Sequence, residues 1–182
     1  MKKTFLTLPV IVLAFSMSSC FNDDDIPDYQ EWYQQNMKYV EDAQNETVDG
    51  KHVYQKYVPA WSPSTFVLMR WHNDTSLTRK NLSPLDNSTV LVKYRLRDIN
   101  RNVVDSSYSM TTYGDSLFRT KVNNVITGWQ VALTNMHVGD SVTLVVPYSA
   151  GYGAMGQGSI LPYSTLIFDM MLKEVQAYET PF

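Results

Sequence analysis

The nine residues from Thr89 to Arg97 alternate almost without fault. Val90, Val92, Tyr94 and Leu96 fall on one face of an extended chain; Lys93, Arg95 and Arg97 share the other with Leu91. Successive side chains of a strand point to opposite sides, so this pattern describes a strand with one face in a core. Two later stretches repeat it. Ser141 to Val146 places Val142, Leu144 and Val146 together, and Thr165 to Val175 does the same with Leu166, Phe168, Met170 and Leu172. Strands buried on both faces read as unbroken apolar runs; alternation points to an antiparallel sheet with one face covered. Between these strands Thr127 to Met136 sets Trp129, Ala132, Leu133 and Met136 at i, i+3, i+4 and i+7, a short one-sided helix closed by Gly139. The expected class is α+β, an antiparallel sheet packed on one short helix.

The remaining elements follow from turn chemistry and periodicity. Asp98 to Asn102 is a turn that returns the chain through Val103 and Val104, a hairpin. His52 to Val58 and Thr65 to Trp71, rich in β-branched and aromatic residues, read as strands separated by Pro59 to Pro63. Asn73 to Asn87, polar and containing Pro84, reads as a surface loop. Asp28 to Gln44 is an N-terminal helix: Tyr29, Trp32, Tyr33, Met37 and Val40 form one stripe, and Asp28 with Glu31 after Pro27 is a start signal. The stripe is expected to pack on the domain, with a dimerising helix as the alternative.

The first nineteen residues have a different character. Lys2 and Lys3 precede an apolar run from Phe5 to Phe15, which is shorter than the about 20 residues that a bilayer-spanning helix needs. That is a signal peptide. Met17-Ser18-Ser19-Cys20 then resembles a bacterial lipoprotein signal, in which cleavage leaves Cys20 as an acylated N-terminus; an ordinary signal peptide with an incidental Cys is the alternative. The acidic run Asp23-Asp24-Asp25 reads as linker, and after a lipidated Cys it resembles the export signals of some Bacteroidetes lipoproteins. Cleavage leaves 163 residues with 13 basic and 18 acidic side chains, a formal charge of −5. Such a balance lacks the basic face that nucleic acid requires. The sequence thus divides into a signal peptide (1–19), an acidic linker (20–27), a helical extension (28–50), a main domain (51–177) and a short tail (178–182). The expected location is the cell envelope, on the outer membrane through a lipid on Cys20, facing either side.

Common catalytic patterns are lacking. His52, His72 and His137 lie in unrelated segments without metal-ligand spacing, so no metal is expected. The only Cys is Cys20, and no nucleophile elbow is present. Gly151-Tyr152-Gly153-Ala154-Met155-Gly156 fits the dinucleotide fingerprint in letters, but the following Gln157-Gly158-Ser159-Ile160-Leu161-Pro162 cannot start the helix that would meet a pyrophosphate. What remains is aromatic: Tyr94, Trp129, Tyr152 and Phe168, each on or beside the end of an element. By composition alone they are core residues.

Their order along the chain changes that reading. Val125-Ile126-Thr127-Gly128-Trp129, the helix to Met136, the turn Val138-Gly139-Asp140, the strand to Pro147, the loop Tyr152 to Gly156, and Ile160-Leu161-Pro162 leading to Thr165-Leu166-Ile167-Phe168-Asp169 resemble, in sequence, the C-terminal half of FKBP-type peptidyl-prolyl cis-trans isomerases. Val92-Lys93-Tyr94 and Val104-Asp105-Ser106-Ser107 resemble the first half, so the resemblance runs from Thr89 to Val175. It implies a strongly bent antiparallel sheet wrapped around one short helix, with the N-terminal helix as an extension. It also implies an aromatic pocket for proline-containing polypeptides. Trp129 would be its floor, the Ile126 N–H and the Tyr152 hydroxyl would donate to substrate carbonyls, and Tyr94, Asp105 and Phe168 would line it. Val104, Val125, Ile160 and Leu161 would contact substrate.

Rotation about an X-Pro bond breaks no covalent bond, so this chemistry needs no nucleophile, metal or cofactor. The sequence departs from the family at several places. Val104 stands where an aromatic is usual, the loop from Gly156 to Ser159 is about one residue short, with Gln157 nearest the usual aromatic or His, and Leu161 replaces a Pro. Around Ser116-Leu117-Phe118 the register leaves open which residue fills a wall position, with Ser116 one candidate. These departures make a non-catalytic binding module or holdase the alternative function.

Overall fold

The computed structural model describes residues 29–114 and 116–177. Cys20, the signal peptide, the acidic linker and the C-terminal tail lie outside them. In chain order the elements are α1 (Gln30–Asn45), β1 (Thr47–Val48), β2 (Lys51–His52), β3 (Gln55–Tyr57), β4 (Val67–Trp71), β5 (Thr89–Arg97), β6 (Val103–Ser106), β7 (Phe118–Lys121), α2 (Thr127–Thr134), β8 (Ser141–Val146) and β9 (Leu166–Ala177). β1 and β2 form a small hairpin. The other seven strands make one antiparallel sheet in the order β3-β4-β8-β9-β5-β6, with β7 also paired to β5.

The alternation read in the sequence maps onto this sheet. Val90, Val92, Tyr94, Leu96, Val142, Leu144, Val146, Phe168, Met170 and Leu172 share one core with Trp129, Val131, Ala132, Leu133 and Met136 of α2. β5 shifts register against β9 at two points and against β6 at a third. Such bulges bend a strand and increase its twist, which lets the sheet curve around a helix of only eight residues.

The opposite face is not left bare. Val40 and Ala43 of α1 pack on Leu68 and Val145, with Tyr39, Tyr54 and Phe66 around them. Alternation in β8 therefore understates its burial: Val145, outward by the pattern, is fully buried beneath α1. The stripe predicted for α1 packs within the chain as expected, although Met37 of that stripe is exposed and Asn36 is buried in its place. The strand expected over His52 to Val58 is broken in two, because Val53 donates its N–H to Glu46 C=O (2.9 Å) and Tyr54 turns toward α1.

One feature of β5 prepares the site. β9 pairs with its whole length on one edge. The other edge is shared: β7 takes Thr89 to Val92, and β6 takes Arg95 to Arg97. Between them the edge is held by Ser107, which is buried. Its hydroxyl accepts the Tyr94 N–H (2.9 Å), its N–H donates to Tyr94 C=O (3.0 Å), and its hydroxyl donates to Ser116 C=O (2.7 Å). The sheet edge thus divides opposite Tyr94, and a cleft opens at the division.

Candidate active site

The cleft has a volume of about 720 Å³ and is lined by six segments of the chain. α2 supplies its floor. Gly128 lies so close to β8 that a Cβ there would fall within 2.8 Å of Val146 Cγ2, and this close approach seats Trp129 at the middle of the sheet's concave side. The indole is 4% exposed. Three rings stand edge-on to it: Tyr94 at 5.1 Å between centroids, Phe168 at 5.3 Å and Phe118 at 6.2 Å, with interplanar angles of 79–81°. Edge-to-face packing of this kind directs positive ring edges at a negative ring face. The indole N–H is buried without an acceptor among the described residues.

The segment before α2 forms the near wall. Ile126 caps the helix with an extended conformation (φ −56°, ψ 150°), and its C=O accepts from Trp129 N–H at 2.9 Å and Gln130 N–H at 3.2 Å. Gln130 Nε2 donates to Val125 C=O (2.8 Å), which fixes the turn that presents Ile126. The Ile126 N–H has no acceptor among the described residues. It therefore remains free to meet a carbonyl, as the first N–H groups of a helix commonly do.

Asp105 and Tyr94 form the polar side. The Tyr94 hydroxyl donates to Asp105 Oδ2 (2.6 Å), and Asp105 Oδ1 accepts the Ser106 N–H (2.7 Å). Burial first, then the hydrogen bond to Asp105 and its charge, hold the Tyr94 hydroxyl far above its usual range. Across the cleft the Tyr152 hydroxyl is raised too, by burial and then by Asp105. It donates to no group among the described residues. Both tyrosines are therefore protonated donors at neutral pH, but only Tyr152 has its donor unspent.

Of the ten pocket residues expected from the sequence, Tyr94, Val104, Asp105, Val125, Ile126, Trp129, Tyr152, Ile160 and Phe168 line this one cleft. Leu161 stands apart: it is 45% exposed and outside the lining. The open register around Ser116 resolves to Phe118. Phe118 pairs with Val92 at the edge of β5 and turns its ring to Trp129 and Tyr94, whereas Ser116 is buried under the preceding loop. Thr120, Asn124 and Ser159 also reach the cleft, and no motif marks them. Gln157 lies on its rim, where a hairpin bridge to Ile160 (N–H to C=O, 2.9 Å each way) holds the loop closed on itself.

Residues 80–173 match the family model of FKBP-type peptidyl-prolyl cis-trans isomerases. The chain is 37% identical over 97 residues to the FKBP-type isomerase FkpA of Escherichia coli K12, covering 53% of this chain and 34% of that protein. It is 39% identical over 93 residues to the FKBP-type 22 kDa isomerase of the same organism, covering 50% and 43%. It thus spans less than half the length of these relatives. Among solved structures, it resembles a peptidyl-prolyl isomerase from Pseudomonas syringae pv. tomato DC3000 with a TM-score of 0.65, at 23% identity over 84% of this chain and 98% of the other. It also resembles the crystal structure of E. coli FkpA with a TM-score of 0.62, at 26% identity over 79% and 58%.

Proposed function

Because the chain belongs to the FKBP-type peptidyl-prolyl cis-trans isomerase family, we propose that it accelerates rotation about X-Pro bonds of polypeptides outside the cytoplasm, with the proline ring seated on Trp129. The uncatalysed bond faces a barrier of roughly 18–20 kcal/mol, because resonance keeps the amide planar. That resonance is charge-separated and is favoured by water's hydrogen bonds. A cleft of aromatic and apolar walls strips the water and so weakens the preference for planarity. Catalysis then requires only that the twisted amide be held better than the planar one. Trp129, Phe168, Phe118 and Ile160 supply the dry enclosure, the Ile126 N–H and the Tyr152 hydroxyl supply preorganised donors, and Asp105 fixes Tyr94 as a wall. The observation that carries this reading is the convergence of a free backbone donor and a free phenol on one indole floor.

The direct test is isomerisation of a proline-containing tetrapeptide by the purified protein; a rate equal to that in buffer refutes the proposal. Tyr152→Phe removes one neutral hydrogen bond, worth about 0.5–1.5 kcal/mol, and should lower kcat/KM roughly 2- to 13-fold with little change in Tm. Since burial and Asp105 raise the Tyr152 pKa, the donating form persists above the usual phenol range. The wild-type rate should accordingly stay flat from neutral pH up to about pH 10, the ordinary tyrosine value. A fall well below that pH would argue against a phenol donor.

A second reading is a binding module or holdase that uses the same cleft without turnover. Val104 in place of an aromatic supports it, as does the exposed apolar surface of Met155 and Leu161 beside the cleft loop. Suppression of aggregation without any isomerase rate is the outcome that would favour it.

We further propose that Cys20 carries the lipid that holds this domain at the outer membrane. Each buried acyl CH₂ contributes about 0.8 kcal/mol to that attachment. Cys20→Ala should move the protein from the membrane to the soluble fraction; unchanged sedimentation with membranes would exclude the anchor.

A further inference from the structure

α1 has two halves that touch different things. Its C-terminal half, through Val40 and Ala43, covers Leu68 and Val145 as an apolar cap would. Its N-terminal half reaches residues 147–165, the segment that leaves β8, carries Tyr152 and Ile160 past the cleft, and returns to β9.

These contacts are polar and directional. Asn36 is 1% exposed; its Oδ1 accepts the Thr165 N–H (2.6 Å), and the Thr165 hydroxyl donates to Asn36 C=O (3.3 Å). Trp32 Nε1–H donates to Ser164 Oγ (3.1 Å), which in turn donates to Leu161 C=O (2.7 Å). The Tyr33 ring stands edge-on to Tyr148 (5.9 Å) and to Tyr163 (5.2 Å), which are themselves 5.4 Å apart. Tyr148 lies on the outgoing stem and Tyr163 on the returning one. The Gly153 N–H donates to Tyr148 C=O (2.9 Å), and the Tyr163 N–H donates to Gly153 C=O (3.0 Å), so the two stems are also tied to each other beside Tyr152.

Tyr163 adopts a left-handed conformation (φ 61°). An L side chain disfavours that region, and such a residue persists only where its surroundings over-determine it. The rings of Tyr33 and Tyr148 are those surroundings. We propose that α1 is a positioning element of the cleft: Tyr33 and Asn36 fix the two stems of 147–165 and thereby hold the Tyr152 hydroxyl and Ile160 over the Trp129 floor. The effect on turnover rests on the isomerase reading; the effect on the segment's geometry does not.

The test compares Tyr33→Ala, Asn36→Ala and Tyr33→Phe in the full chain with Val40→Ala, which loosens α1 at its other end. Amide hydrogen exchange across 148–164 and kcat/KM on a proline peptide are measured well below each variant's Tm. Tyr33→Ala and Asn36→Ala should speed exchange of this segment about tenfold and lower kcat/KM by about as much. Tyr33→Phe, which keeps the ring contacts, should restore both, and Val40→Ala should lower Tm while changing neither. If Tyr33→Ala lowers Tm but leaves exchange across 148–164 at the wild-type rate, or if Val40→Ala loosens the segment equally, α1 is only a cover and the proposal falls. Should the wild type show no isomerase rate, the exchange comparison decides alone.

Discussion

Trp129→Ala should cost about 3–5 kcal/mol of stability and reduce isomerisation to near the uncatalysed rate. The indole is the one group that is both the centre of the core and the floor of the cleft. Tyr94, Phe118 and Phe168 all stand edge-on to it within 6.2 Å, and removing it leaves three aromatic edges facing a void. For a chain of this length each kcal/mol lowers Tm by about 2–4 °C, so a fall of about 6–20 °C is expected by thermal unfolding. Trp129→Phe separates the two roles. It keeps edge-to-face packing and also removes a buried N–H that has no acceptor among the described residues, a group whose unpaired burial costs about 1–3 kcal/mol. That variant should therefore lie much closer to wild type in Tm while still losing rate, because the smaller ring no longer spans the cleft floor. A Trp129→Ala protein with near-native Tm would show that the core is organised around something else. One that unfolds early yet turns over peptide at the wild-type kcat/KM would place the proline elsewhere.

The parts of the fold that sequence made legible are those where one rule dominates. β5 and β8 have the bounds that alternation predicts, because the face that each strand turns to the main core must bury every second side chain, and the further burial of Leu91 and of Val145 on the other face leaves that period readable. β7 was not legible. Phe118-Arg119-Thr120-Lys121 is four residues long and only half buried, and its pairing depends on the edge of β5 that β6 leaves free. Asn36 was illegible for the opposite reason. A polar residue on an apolar stripe carries no periodic signal, and its burial makes sense only with the Thr165 N–H beside it, 129 residues along the chain. For the cleft itself the aromatic residues could be listed from composition, but their convergence could not. It depends on the divided edge of β5, on the close approach of Gly128 to Val146, and on the loop that returns Ile160. The order of motifs stood in for that geometry. Leu161, which that order assigns to substrate contact, follows the turn after Gly156 and is 45% exposed, outside the cleft lining.

That turn leads to the second large effect. Gly156→Ala should lower kcat/KM at least tenfold and cost about 1–3 kcal/mol. Gly156 has φ 67°, a left-handed conformation, so any side chain starts at a disadvantage. The surroundings add to it. A Cβ at Gly156 would overlap Ile160 C=O and come within 2.8 Å of Leu161 C and 2.9 Å of Pro162 N. These are backbone atoms, unable to rotate aside as a flexible side chain can. The strand-like bridge between Gln157 and Ile160 must then open or the Leu161-Pro162 peptide must move, and either shifts Ile160 away from Trp129. Because the loop lies at the surface, most of the strain should be relieved by local movement, so activity should suffer more than Tm. Gly158→Ala is the control. It has a similar backbone angle (φ 58°), but a Cβ there meets nothing within 4 Å, so only the conformational cost remains. Comparable rate losses in the two variants would mean that the backbone angle, not the packing of Gly156 against 160–162, sets the position of the loop. A Gly156→Ala protein with full kcat/KM would remove Ile160 from the account of the cleft.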